Sequence, residues 1–179
     1  MADNGFFNRV PVDPITLRVL GGAFVAVAKE IAYTVIRTAY SQIVHENEDI
    51  GAGIFDPEGN QICESDSTPM HVGSIPGYIQ GVLTRLRGKL EEGDIILHNH
   101  PYYGASHTPD VLIATPIFRE GKLIGFSAVN AHLIDVGEAY PIYCIDVPDV
   151  WGEARLYYAL KIYERGVRNE QLWTHILDN

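Results

Sequence analysis

From Ile15 onward, apolar residues recur every three or four positions: Ile15, Val19, Phe24, Val27, Ile31 and Val35. That spacing predicts a long helix running to about Ser41. Asp13-Pro14 starts it, with Asp as N-cap and Pro at the first helical position. Gly21-Gly22 weakens the helix or lets another backbone approach it closely. The segment is apolar on several faces, so it is expected to be wrapped by protein on most sides. Next, Asp49–Phe55 and Gln61–Cys63 read as a hairpin around the turn residues Asp56-Pro57-Glu58-Gly59-Asn60. Ser65 to Pro76 reads as irregular. From Gly77 to Leu90, Ile79, Val82, Leu83 and Leu86 share one face and Arg85, Arg87 and Lys89 the other, which predicts an amphipathic helix.

The second half is richer in strand patterns. Asp94–His98 is a short strand, followed by a loop over Asn99–Ser106. Val111–Phe118 and Leu123–Val129 are strand-like runs joined by Arg119-Glu120-Gly121-Lys122, a tight turn that makes them antiparallel. After Gly137 the pattern fades, leaving an extended loop from Tyr140 to Trp151 and a helix over Asn169–Leu177. The order helix, hairpin, helix, strand, hairpin indicates an α+β fold with a mainly antiparallel sheet. Three regions follow: a disordered or extended N-terminus (1–12), an α+β domain (13–138), and a loop with a final helix (139–179). Leu172, Trp173, Ile176 and Leu177 give that helix an apolar face, expected to pack on a partner or on a further portion of the chain.

Composition narrows the function. The 179 residues are 46% hydrophobic, enough for one domain with a real core. The formal net charge of −10, with no basic cluster to offset it, argues against DNA, RNA or a membrane surface as partner. No unbroken run of eighteen apolar residues occurs, so no membrane span is expected. The first residues lack a signal-peptide pattern. Two cysteines, Cys63 and Cys144, suit a reducing compartment without a disulfide framework. The expected location is the cytoplasm.

The candidate chemistry lies between Asn99 and Gly137. Two His-x-x-Asp pairs, His107–Asp110 and His132–Asp135, flank the second hairpin, whose geometry brings the start of one strand beside the end of the other. Imidazole and carboxylate donors converging at one end of a sheet suit Mn²⁺, Zn²⁺ or Fe²⁺. Each pair also has a plainer reading as turn chemistry, Thr108-Pro109-Asp110 above all.

Several motifs in order carry a family likeness. They are Asp13-Pro14-Ile15-Thr16, Arg37-Thr38-Ala39-Tyr40-Ser41, Glu48-Asp49-Ile50, and Phe55-Asp56-Pro57-Glu58-Gly59. Met70-His71-Val72-Gly73-Ser74-Ile75-Pro76, Gly93-Asp94, Asn99-His100-Pro101-Tyr102-Tyr103-Gly104 and His107-Thr108-Pro109-Asp110 continue the series. From about residue 12 to its end the chain resembles the N-terminal segment of the hydantoinase B/oxoprolinase family. That family includes the B-type subunits of ATP-dependent hydantoinases, oxoprolinases, caprolactamase and the acetone and acetophenone carboxylases.

The resemblance implies a divalent metal held by Asp49, His107, Asp110 and His132. Asp135 then becomes a carboxylate that accepts from a ligating imidazole, and His71 a proton-transfer group in an irregular loop. It also implies a small carbonyl substrate and an A-type partner subunit that handles ATP, since this sequence has no Walker-type phosphate loop. The chemistry would be cyclic-amide hydrolysis or ketone carboxylation within a hetero-oligomer, the isolated chain being inactive. Three departures bear on this, one being the region Tyr140–Trp151, which lacks the Gly/Pro-rich pattern of relatives. His100 stands where relatives have Asp, as an extra ligand or a loop residue. In His132-Leu133-Ile134-Asp135-Val136-Gly137-Glu138, relatives have a second His at the Leu133 position and Gly at the Glu138 position. The other reading is a non-catalytic assembly subunit that keeps the fold.

Overall fold

Asp13 caps the first helix as the sequence requires, its Oδ1 accepting from the Ile15 and Thr16 N–H groups at 3.0 Å each. In the computed structural model, which describes residues 11–138 and 146–178, helix α1 runs Pro14–Thr38. It is not wrapped. Only Ala28, Ala32 and Ile36 are buried, and residues 14–27 are all exposed. The sheet reaches only the C-terminal half of the helix, where Ala28 meets Ile54 and Cys63, and Ile36 meets Val44 and Ile50. By length and composition alone α1 is the one helix among the described residues long and apolar enough to cross a membrane, a test that core helices and signal sequences also pass. Lys29 and Glu30 interrupt its apolar run without disqualifying it. The N-terminal residues 1–10, Cys144 and most of the expected 140–151 loop lie outside the described residues.

After the short α2 (Gln42–His45) come β1 (Ile50–Phe55), β2 (Gln61–Glu64), α3 (Pro69–Leu86), β3 (Ile95–His98), β4 (Asp110–Arg119) and β5 (Lys122–His132). The chain ends with α4 (Val150–Glu153), β6 (Leu160–Glu164), β7 (Val167–Arg168) and α5 (Glu170–Leu177). The fold is α+β. One seven-stranded sheet has the order β2-β1-β5-β4-β3-β6-β7, with every neighbouring pair antiparallel.

Two differences from the sequence pattern matter. Helix α3 begins at Pro69, not Gly77. Pro69 occupies its first turn, where a missing N–H costs nothing, and Pro76 is accommodated inside. Pro76-Gly77 imitates a helix start, so the true first turns, with His71, are hidden in the sequence. The β6–β7 hairpin is absent from the sequence pattern; its turn, Arg165-Gly166, has both residues at positive φ. Buried Asp94 anchors it, pairing with Lys161 Nζ at 2.7 Å and accepting from the Arg165 N–H at 3.1 Å.

The β4–β5 hairpin closes on Glu120-Gly121, at φ 51° and 74°, the conformation of a type I′ turn. Ile117 pairs with Gly125 and Phe118 with Leu123, so Ile124 is an extra residue in a bulge. Beyond the bulge, the ladder runs unbroken to Asp110 opposite His132.

Period-2 alternation divides the sheet's two faces. Phe55, Leu112, Ala114, Phe126 and Ala128 point to α3 and meet Ile75, Tyr78, Ile79, Val82 and Leu83. Each large apolar side chain buried there contributes roughly 1.5–3 kcal/mol. On the other face, Leu97, Val111 and Ile162 pack with Leu172, Trp173 and Ile176 of α5. The final helix therefore covers its own sheet, and of its apolar face only Leu177 stands out, at 74% exposure.

Helix α3 lies close because glycine permits it. A Cβ on Gly81 would collide with the Tyr103 carbonyl oxygen and lie 2.6 Å from His98 Nε2. Gly73, on the same helix, is exposed with nothing within 4 Å of its position. Gly81→Ala is expected to cost about 1–3 kcal/mol through overpacking. Gly73→Ala should stabilise by about 0.4–1 kcal/mol. Urea denaturation of the two variants should therefore show shifts of opposite sign.

Candidate active site

The register of β4 and β5 decides which polar side chains meet. Asp110 and His132 sit opposite one another at the end of the ladder, on the same face as Leu112 and Ala128. Asp110 is fully buried. Its Oδ1 accepts from His132 Nδ1 at 2.8 Å, and its Oδ2 from Ser106 Oγ at 3.3 Å. Tyr78 reaches over from α3, its hydroxyl donating to the Asp110 carbonyl at 3.1 Å. A buried carboxylate requires a positive partner. The hydrogen bond to Asp110 accordingly raises the His132 pKa, against the opposing effect of burial.

His71 approaches from the N-terminal turns of α3. Gly51 of β1 makes room, since a Cβ there would lie 2.8 Å from both His71 Cβ and the Val72 nitrogen. His71 is wholly buried, with Nε2 2.8 Å from Asp49 Oδ1 and Nδ1 3.0 Å from Asn130 Nδ2. Both ring nitrogens are thus engaged, Nε2 with the Asp49 carboxylate and Nδ1 with the Asn130 amide. Asp49, immediately before β1, also accepts the His132 N–H on its carbonyl at 3.1 Å. The His71 Nδ1 to Asp110 Oδ2 distance is 3.8 Å. Two imidazole–carboxylate pairs thus stand side by side at one end of the sheet. His107, in the loop before β4, lies with its ring 5.6 Å from that of His132, nearly parallel.

The structure therefore gathers Asp49, His71, His107, Asp110 and His132. It does not gather Asp135. That residue is exposed and its Oδ1 accepts from the Gly137 N–H at 2.9 Å, an Asx turn. The carboxylate on His132 Nδ1 is Asp110 instead, because the cross-strand position is nearer than the loop. His100 packs its ring between Tyr103 (4.9 Å) and Tyr158 (5.9 Å), in an aromatic cluster on the 101–103 turn. Sequence reasoning misses Asn130, Ser106 and Tyr78. Carrying the strand alternation past Val129 would have placed Asn130 and His132 on one face.

Among the described residues, no three His, Cys, Asp or Glu side chains stand in an arrangement that holds a metal ion. The donor set of Asp49, His107, Asp110 and His132 nevertheless fits a divalent cation in chemistry, with two carboxylates and two imidazoles. In the structure, Asp110 Oδ1 and His132 Nδ1 are hydrogen-bonded to each other.

The hydantoinase B/oxoprolinase profile matches residues 13–179. The chain belongs to the hydantoinase B/oxoprolinase family. It is 41% identical over 174 residues to a putative D-/L-hydantoinase B-type subunit of Pseudomonas sp. (strain NS671), covering 94% of this chain and 29% of that protein. The crystal structure of ATP-dependent caprolactamase from Pseudomonas jessenii superposes with a TM-score of 0.84 at 30% identity, covering 93% of this chain and 29% of that one. A nucleotide-free acetone carboxylase structure matches with a TM-score of 0.78 at 24% identity, over 91% of this chain and 22% of that one, and shows the shared fold. The chain thus spans less than a third of these relatives' length.

The roles of the two aspartates separate experimentally. Asp110→Ala removes the buried acceptor of the His132 Nδ1 bond and should cost about 1–3 kcal/mol. Asn replaces Asp equally well in an Asx turn, so Asp135→Asn should stay within about 0.5 kcal/mol of wild type. Chemical denaturation of both variants checks the pair.

Proposed function

We propose that this chain is the metal-binding N-terminal portion of a B-type subunit in an ATP-dependent enzyme that opens cyclic amides. The observation that carries the reading is the juxtaposition of the Asp110–His132 and Asp49–His71 pairs with His107 at one end of the sheet. It occurs in a chain 41% identical to a putative hydantoinase subunit. Hydantoins, oxoproline and caprolactam, the compounds in the names of the family and of the caprolactamase, are all cyclic amides. That favours ring hydrolysis over ketone carboxylation. ATP would be handled by an A-type partner subunit.

Asp49, His107, Asp110 and His132 would hold the divalent ion, of the Mn, Zn or Fe type. When bound, it supplies Lewis acidity to a carbonyl oxygen or lowers the pKa of a water. The chain's own residues do the rest. Asp110 holds the His132 ring through Nδ1 and so fixes its orientation. His71 Nε2 faces the Asp49 carboxylate, with Asn130 securing the opposite nitrogen. A buried imidazole–carboxylate couple of this kind can hold a proton and return it to a substrate nitrogen. Ser106 and Tyr78 keep the Asp110 carboxyl and its backbone in place.

The test uses the full-length protein assembled with its ATP-binding partner. Elemental analysis should find bound divalent metal, and a chelator should abolish ATP-dependent hydrolysis of a hydantoin or lactam, with activity restored by added metal. Asp110→Asn should lose most of the metal. Full turnover after verified metal removal would overturn the reading.

A further inference from the structure

Glu153 is the residue of the site with no assigned task. It lies at the end of α4, far along the chain, yet its Oε2 accepts from Thr108 Oγ1 at 2.7 Å and lies 3.8 Å from His107 Nδ1. The backbone segments that carry the two residues are tied to one another. Buried Asn99 donates one amide hydrogen to the Thr108 carbonyl at 2.7 Å and the other to the Arg155 carbonyl at 2.9 Å. Its Oδ1 accepts from the Tyr157 N–H at 2.6 Å. The Arg155 N–H also bonds the Val136 carbonyl at 2.7 Å. All three side-chain polar functions of Asn99 are thus spent on joining the segment that bears Glu153 to the segment that bears His107.

We propose that Glu153 is a positioning residue for His107, holding the ring's proton on Nδ1 so that Nε2 is presented to the cation. The proposal rests on the metal reading above. A carboxylate beside the non-ligating nitrogen of an imidazole selects the tautomer, orients the ring and raises its basicity. At 3.8 Å the pair is in contact, just beyond hydrogen-bond distance. Thr108 holds the Glu153 carboxylate beside the His107 ring. His107 is also the most exposed of the four donors that would bind the cation, its side chain 41% accessible against 21% for Asp49 and 8% for His132. With the least packing around it, it has the greatest need of an orienting partner.

The test measures Zn²⁺ affinity of the full-length protein by competition with a chromophoric chelator, alongside the thermal midpoint of the metal-free form. Glu153→Ala should weaken Zn²⁺ binding by roughly 10- to 100-fold. Glu153→Gln separates positioning from bracing. Its amide oxygen still accepts from Thr108, so a merely structural brace would be rescued completely. A carboxylate acting on His107 would not be, and Glu153→Gln should bind several-fold more weakly than wild type with its thermal midpoint unchanged. Thr108→Val, which frees Glu153 without removing its charge, should give a smaller loss than Glu153→Ala. Wild-type affinity in Glu153→Gln overturns the proposal and leaves the metal reading standing. Failure of the wild-type protein to bind Zn²⁺, Mn²⁺ or Fe²⁺ overturns both.

Discussion

The burial of one carboxylate organises this molecule's polar end. Asp110 has no solvent contact, and an ionised carboxyl in that position is tolerable only if its charge and its lone pairs are answered locally. The answer comes from three elements. His132 on the neighbouring strand supplies a ring N–H, Ser106 in the preceding loop a hydroxyl, and Tyr78 on α3 a bond to the Asp110 backbone. Because those donors come from separate parts of the chain, their meeting at Asp110 ties the sheet, the loop and the helix into one geometry. The neighbouring His71–Asp49 pair repeats the arrangement with the helix as source of the imidazole. Whatever ligand the site takes enters a framework whose side chains are already committed to one another.

That framework depends on close backbone approach. Gly51 lets α3 bring His71 over β1, and Gly81 lets the same helix rest against the Tyr103 carbonyl. A helix held away by a side chain at either position would carry His71 or Tyr78 away from its partner. The apolar face of α3 supplies the attraction, and the glycines set the distance.

Much of this could be read from the sequence, and the failures have physical reasons. The hairpin around Glu120-Gly121 and the convergence of His107, Asp110 and His132 follow from alternation and turn chemistry alone. His71 is legible as a residue of interest but not as a helical one, because Pro76-Gly77 looks like a boundary and Pro69 is the true one. Asp135 looks like the partner of His132 because it is near in sequence. The strand register makes Asp110 nearer in space. The bridging contacts of Asn99 and Glu153 are invisible, since a contact spanning 45 residues, such as Thr108 with Glu153, leaves no local pattern. The long first helix misleads in the other direction. Apolar periodicity records that a helix wants cover, and only its second half finds it among the described residues.

The bulge at Ile124 gives the second hairpin an uneven tolerance to changes of length. Between Ile117 and Gly125 the β5 side holds one residue more than a regular ladder needs. A single deletion at the tip can be absorbed by straightening the bulge, and Asp110 still faces His132. Between Gly125 and His132 there is no such reserve. A deletion there flips either Phe126 and Ala128 out of the core or His132 away from Asp110, because side chains alternate with a period of two. Over evolutionary time the tip of this hairpin is therefore free to lose a residue, while its root must keep its count.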